Sequence, residues 1–95
     1  MPYYETHITL RGDPRVVEPL VKATGWKFSA IDGDPVLGKG VLCYATSHFK
    51  GSRDTADVVI AMGIIADELE AKGAEVIRQK VELVVYDTKS PKVAA

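Results

Sequence analysis

The chain has 95 residues, with 12 lysines and arginines against 13 aspartates and glutamates, so the formal net charge is −1. Hydrophobic residues make up 46% and charged residues 26%, which excludes a disordered chain and is typical of one globular domain with one core. The balanced charge argues against a dedicated nucleic-acid binder, because such proteins usually carry a basic excess.

The cysteine content and the N-terminus indicate where the protein works. A single cysteine, Cys43, excludes an internal disulfide, and its apolar run 41–45 predicts a buried, inert thiol. Residues 1–5 contain no basic start followed by an apolar stretch, and the longest apolar run, 58–66, is too short to cross a bilayer. We expect a cytoplasmic protein with no membrane association and no cofactor.

The first half of the chain predicts a strand followed by a helix. Tyr3–Leu10 alternates aromatic and β-branched residues with polar ones, as a half-buried strand does. Asp13 is a good N-cap for a helix over 14–24. Pro19 removes a hydrogen bond inside that helix, so the helix either kinks there or begins near residue 18.

The second half predicts two strands, a helix and a last strand. The strands are Trp26–Ile31 and Gly40–Phe49, then Ala74–Asp87 at the end. The helix is Thr55–Lys72, with Asp54 as its N-cap. A glycine follows each predicted helix and is placed to end it.

This order of elements is the β-α-β-β-α-β pattern of the ferredoxin-like sandwich, an α+β fold. We therefore expect a four-stranded antiparallel sheet of order 4-1-3-2 with both helices on one face. The second helix should dock through one apolar stripe, formed by Val58, Met62, Ile65 and Leu69. The domain is predicted to span 1–88, with 89–95 as a loose tail.

Strand alternation divides the side chains between the two faces of the predicted sheet. With the apolar residues under the helices, we call the other side the open face. Its predicted members are Glu5, His7, Thr9, Lys27, Ser29, Tyr44, Thr46, His48, Arg78, Lys80, Glu82 and Tyr86. A solvated face explains polar residues in general. The mixture of imidazoles, phenols, cations and carboxylates favours a site.

The stretch His7-Ile8-Thr9-Leu10 resembles the His-x-Thr motif of the 2H phosphoesterases, which carry two such motifs on a pair of lobes. The resemblance implies that His7 is a general acid or base and that Thr9 holds the phosphate. Phe49 and Lys50 follow His48, so the second motif is missing. A homodimer would be needed to bring two copies of His7 together.

Three stretches, 4–7, 27–34 and 77–82, are similar to those of small uncharacterised bacterial or phage proteins of ferredoxin-like type. That similarity implies a fold and no activity. The RNA recognition motif uses the same architecture and stacks bases on aromatic residues of its central strands. Here these strands lack its aromatic-rich signatures, so nucleic acid is not an expected partner.

Two further features bear on a metal and on assembly. Glu5, His7 and His48 are the right ligand types for zinc, but no short-range spacing supports a metal site, and none is predicted. Ile60 and Ile64 lie four apart on the second helix, outside its docking stripe. They either pack on the first helix or form an exposed apolar patch, which would favour a homodimer. The open face of the sheet is the other surface through which a twofold dimer could form.

We therefore expect a small binding or interaction module that uses the open face for a small acidic ligand or a partner. The ligand-binding candidates are Lys27, Ser29, Arg78, Lys80 and Glu82. The alternative is a phosphoesterase-like or other acid–base enzyme, and its catalytic candidates are His7, Thr9 and His48. An RNA-binding module is the second alternative.

Overall fold

The computed structural model describes residues 2–32, 41–50 and 54–85. Its elements are β1 (Tyr3–Arg11), α1 (Pro14–Ala23), β2 (Lys27–Asp32), β3 (Val41–Phe49), α2 (Thr55–Ala71) and β4 (Glu75–Val84). The four strands form one antiparallel sheet of order β2-β3-β1-β4. The predicted α+β class, element order and sheet order are confirmed.

The helix starts follow from the predicted caps. The Asp13 carboxylate accepts a hydrogen bond from the Arg15 backbone N–H at 2.9 Å, before α1. The Asp54 carboxylate accepts one from the Asp57 N–H at 3.0 Å, before α2. Both bonds satisfy N–H groups that the first helical turn leaves without partners. The glycine after α2, Gly73, has a φ of +95°, which suits a helix-ending glycine.

One core lies between the sheet and the two helices. Buried residues of β1, β3, α1 and α2 form a single cluster, which includes Ile8, Leu10, Cys43, Ala45, Val17, Val21, Met62, Ala66 and Leu69. Both helices therefore cover the same face of the sheet. The docking stripe of α2 is confirmed, with Ile65 only partly buried against the cluster.

Pro19 lies inside α1, so the alternative start near residue 18 is wrong. Asp13 and Pro14 set the start of the helix, and the helix continues past the hydrogen bond that Pro19 removes. None of the helices in the described ranges is long and apolar enough to span a membrane.

The last strand differs from its predicted course in two ways. It ends at Val84, because its partner β1 begins at Tyr3, which pairs with Val84. The register also shifts: Thr9 pairs with Arg78, but Leu10 pairs with Val76. This bulge breaks the two-residue alternation. Val76 consequently packs against the core in the place that alternation assigned to residue 77.

Some predictions fall on residues that the structure does not describe. These are the start of the third strand at Gly40, residues 86–87 of the last strand, and Tyr86 on the open face. The tail at 89–95 also lies outside the described residues.

Candidate functional site

The polar side chains of the open face stand in three rows across the strands, because residues paired in the register lie side by side. Read towards β4, the rows are His48, Glu5, Glu82; then Lys27, Thr46, His7, Lys80; then Ser29, Tyr44, Thr9, Arg78. The predicted face is confirmed for each of these residues. The candidates therefore form one continuous patch.

His7 is the centre of the patch, since it lies on the central strand β1. Its Nε2 is 2.6 Å from Glu5 Oε1 and 3.2 Å from Glu82 Oε1. Its Nδ1 is 3.3 Å from the hydroxyl oxygen of Thr46. Lys80 is its register partner on β4. The sheet order predicted from the sequence pairs the first strand with the last, and this pairing places His7 beside both Lys80 and Glu82. Contacts at both ring nitrogens fix the ring orientation.

The Glu5 carboxylate connects the two histidines. Its Oε1 contacts His7, and its Oε2 is 3.2 Å from His48 Nε2. The His48 ring packs edge-on against Tyr3, with ring centroids 5.3 Å apart. Tyr3 is buried, so this end of the patch has a fixed wall. The structure thus places both histidines around one carboxylate.

Three groups in the patch are close enough to share an ion. Single ligand atoms of Glu5, His7 and Glu82 all lie within 4.8 Å of one another. The sequence analysis considered Glu5 and His7 as ligand types but not Glu82. Glu82 is distant in the chain, and only the pairing of β4 with β1 brings it beside His7. No short spacing could have revealed it.

Cations border the patch on both sides. The Lys80 ammonium is 3.3 Å from Glu82 Oε1 and balances part of its charge. Lys27 and Arg78 form no ion pair with any residue in the described part of the chain. Within the described ranges, their charges therefore have no compensating partner on either side of His7. Ser29, the remaining ligand-binding candidate, lies on the edge strand β2, partly exposed.

The open face is less exposed than a solvated sheet surface. Thr9 is only 3% exposed, and Leu42, on the same face, is buried as well. The side chains of His7 and Glu5 are 22% and 27% exposed. Thr9 shares the face of His7, as the His-x-Thr resemblance requires, but in this structure its hydroxyl is sheltered. In the row of Thr9, Ser29 and Arg78 remain partly exposed, as do the groups of the two rows around Glu5 and His7.

Cys43 lies under the helices and does not belong to the patch. It is fully buried, and its Sγ is 3.8 Å from the Gly12 carbonyl oxygen. Burial raises the pKa of the Cys43 thiol above its ordinary value. The predicted inert thiol is therefore supported by both position and ionisation.

Comparisons with models of known protein families, with curated proteins and with solved structures found no match.

Proposed function

We propose that the protein is a small binding module, built as a ferredoxin-like sandwich, whose open face binds a small anionic ligand. The observation that carries the proposal is the position of Lys27 and Arg78. Lys27 stands at the β2 end of the row of His7, and Arg78 stands on β4 in the next row. Neither has an ion-pair partner among the described residues. An unpaired cation beside a hydrogen-bonding imidazole is the arrangement that recognises phosphate and carboxylate groups.

The spacing of the sheet lets one small anion reach several of these groups. Neighbouring strands lie about 4.8 Å apart, so long side chains from β2 and β4 can reach the space above β1 and β3. Arg78, on β4, stands one row away from His7. Lys27, on β2, pairs with Thr46 of β3. An anion above Thr46 and His7 would contact both long cationic side chains. Lys80, already paired with Glu82, would reduce the repulsion from that carboxylate.

The experiment is a calorimetric titration of the protein with methylphosphonate, a soluble analogue of a phosphate group. We expect saturable one-to-one binding that Arg78→Gln and Lys27→Gln each weaken. Arg15→Gln is the matched control, because Arg15 lies on α1 and is paired with Asp13. Binding that is equally strong in Arg78→Gln and in wild type, or no binding by wild type, would contradict the proposed function.

The acid–base alternative and the cytoplasmic location remain predictions. For the former, the carboxylates on His7 Nε2 would orient the imidazole. Turnover of a simple phosphodiester, lost in His7→Ala, is the outcome that would favour an enzyme over a binding module.

We also propose that the protein is a homodimer. Ile60 and Ile64 are each 62% exposed, so they do not pack on α1. Val16 on α1 is equally exposed. Two isoleucines four apart on one helix form a patch that can meet its own copy around a twofold axis. Exposed apolar patches often mark protein interfaces, so this exposed isoleucine pair supports such a dimer.

A further inference from the structure

We infer that Glu5, His7 and Glu82 form a binding site for a divalent transition-metal ion of the Zn²⁺ class. The inference deepens the proposed function and rests on it, since the ion would occupy the same face and attract the anion. It stands on the convergence of three side chains from two strands. The His7 Nε2 lies between the Oε1 atoms of the two glutamates, at 2.6 and 3.2 Å.

The distances fit a metal after small side-chain movements. Zinc binds histidine nitrogen and carboxylate oxygen at about 2.0–2.2 Å, so its ligand atoms stand roughly 3–3.5 Å apart. The three ligand atoms here already lie within 4.8 Å of one another. The 2.6 Å between His7 Nε2 and Glu5 Oε1 has to widen, and the Glu82 side chain, which is 49% exposed, has to rotate towards them.

The surrounding contacts hold the ligands as metal sites require. Thr46 bonds the second nitrogen of His7, which directs Nε2 towards the two carboxylates. His48 contacts Oε2 of Glu5, which leaves Oε1 directed at His7. Such outer contacts fix ligand orientation in known metal sites. An imidazole with two carboxylates favours Zn²⁺ over Mg²⁺ or Ca²⁺, which prefer oxygen ligands alone.

The charges predict what the ion would add. Glu5 and Glu82 supply two negative charges and Lys80 one positive charge, so a divalent ion reverses the sign of the cluster. Three protein ligands leave a coordination position open. With Lys27 and Arg78 on either side, that position suits an anionic ligand. Lys80 contacts the same Glu82 oxygen that the ion needs and therefore competes with it.

The experiment is a titration of metal-free protein with Zn²⁺ alone, monitored by calorimetry and by NMR of the histidine rings. We expect one ion per chain and a shift of the His7 signals. Glu5→Gln and Glu82→Gln should each weaken binding about tenfold or more, because a lost ligand costs at least as much as a lost outer contact. Lys80→Gln should tighten Zn²⁺ binding up to about fivefold, because the ion then no longer competes with an exposed ion pair, whose free energy corresponds to a change in affinity of that size.

The matched control is Glu75→Gln, since Glu75 lies on β4 and pairs with Arg11 away from the cluster. It should bind Zn²⁺ as wild type does. No binding by wild type, or equal losses in Glu75→Gln and Glu82→Gln, would overturn the metal site. Each variant must show the same circular dichroism spectrum as wild type, so that loss of binding is not due to unfolding.

Methylphosphonate separates this inference from the proposed function. If it binds metal-free protein and Zn²⁺ does not bind, the metal site is wrong and the proposed function stands. If Zn²⁺ binds as expected and methylphosphonate binds neither with nor without it, the metal site stands and the anion proposal is wrong. Tighter methylphosphonate binding in the presence of Zn²⁺ supports both.

Discussion

His7 Nε2 lies 3.2 Å from Glu82 Oε1, although the two residues belong to the first and last strands of the chain. The contact is diagonal, since the register partner of His7 is Lys80. It joins the centre of the sheet to its edge on the side away from the helices. The open-face patch depends on this contact and on the matching one from Glu5.

The face assignment predicts unequal losses of stability for substitutions at two adjacent residues. His7→Ala should lower the free energy of unfolding by about 1 kcal/mol or less, because the side chain is partly exposed and loses only hydrogen bonds. Ile8→Ala should lower it by about 2–5 kcal/mol, because Ile8 is fully buried under the helices. Urea unfolding measures both values. A greater loss of stability for His7→Ala than for Ile8→Ala would show that the two faces of the strand are assigned backwards.

The buried thiol predicts slow chemistry at Cys43. Because burial raises its pKa, little thiolate forms in the folded protein at mildly alkaline pH. A chromogenic disulfide reagent should react slowly with native protein and completely in urea. Val16→Cys in a Cys43→Ala background provides the exposed control, since Val16 is 62% exposed. Equally fast reaction of the native Cys43 thiol would contradict the buried position.

Asp13 predicts an acid-dependent part of the stability. Its hydrogen bonds from Arg15 hold the pKa of its carboxyl below the ordinary value of 3.8. A carboxyl with a lowered folded-state pKa stabilises the fold above its unfolded pKa and loses that contribution as pH falls through the folded value.

The test compares wild type with Asp13→Asn, because asparagine is also a good N-cap but carries no charge. The urea midpoint of wild type should exceed that of the variant near neutral pH, and the difference should shrink as the pH falls below the ordinary carboxyl pKa of 3.8. A difference that stays constant over this range would show that the ion pair with Arg15 contributes nothing.

The apolar patch on α2 predicts a dimer that charge disrupts. Ile60→Lys with Ile64→Lys should convert the dimer into a folded monomer, measured by light scattering over a range of concentrations. Ile31→Lys is the control, because Ile31 is also exposed but lies on the edge strand β2. Wild type that is monomeric at high concentration would end the dimer proposal.

Much of the fold could be predicted because its signals are local. Asp13 and Asp54 cap the helices within two or three residues, and alternation placed His7 and Ile8 on opposite faces. The bulge opposite Thr9 could not be predicted, since it depends on how β4 meets β1 rather than on composition. For this reason, strand alternation predicted Ile77 at the core-facing position that Val76 occupies in the structure.

The site was predictable in its members and not in its contacts. Alternation collected Glu5, His7 and Glu82 on one face, but their convergence requires the β1–β4 register and side-chain rotamers. Thr9 shows the same limit. Its polarity predicted exposure, since threonine is mostly exposed in folded proteins, whereas the structure leaves it 3% exposed.

The central claim is that the open face is the binding site, and chemical-shift mapping tests it most directly. Methylphosphonate added to ¹⁵N-labelled protein, with and without Zn²⁺, should shift the backbone amides of β1, β3 and β4 around His7, Thr46 and Arg78. The amides of α1 and α2 should stay unchanged. Shifts confined to the helices, or no shifts under either condition, would contradict the account.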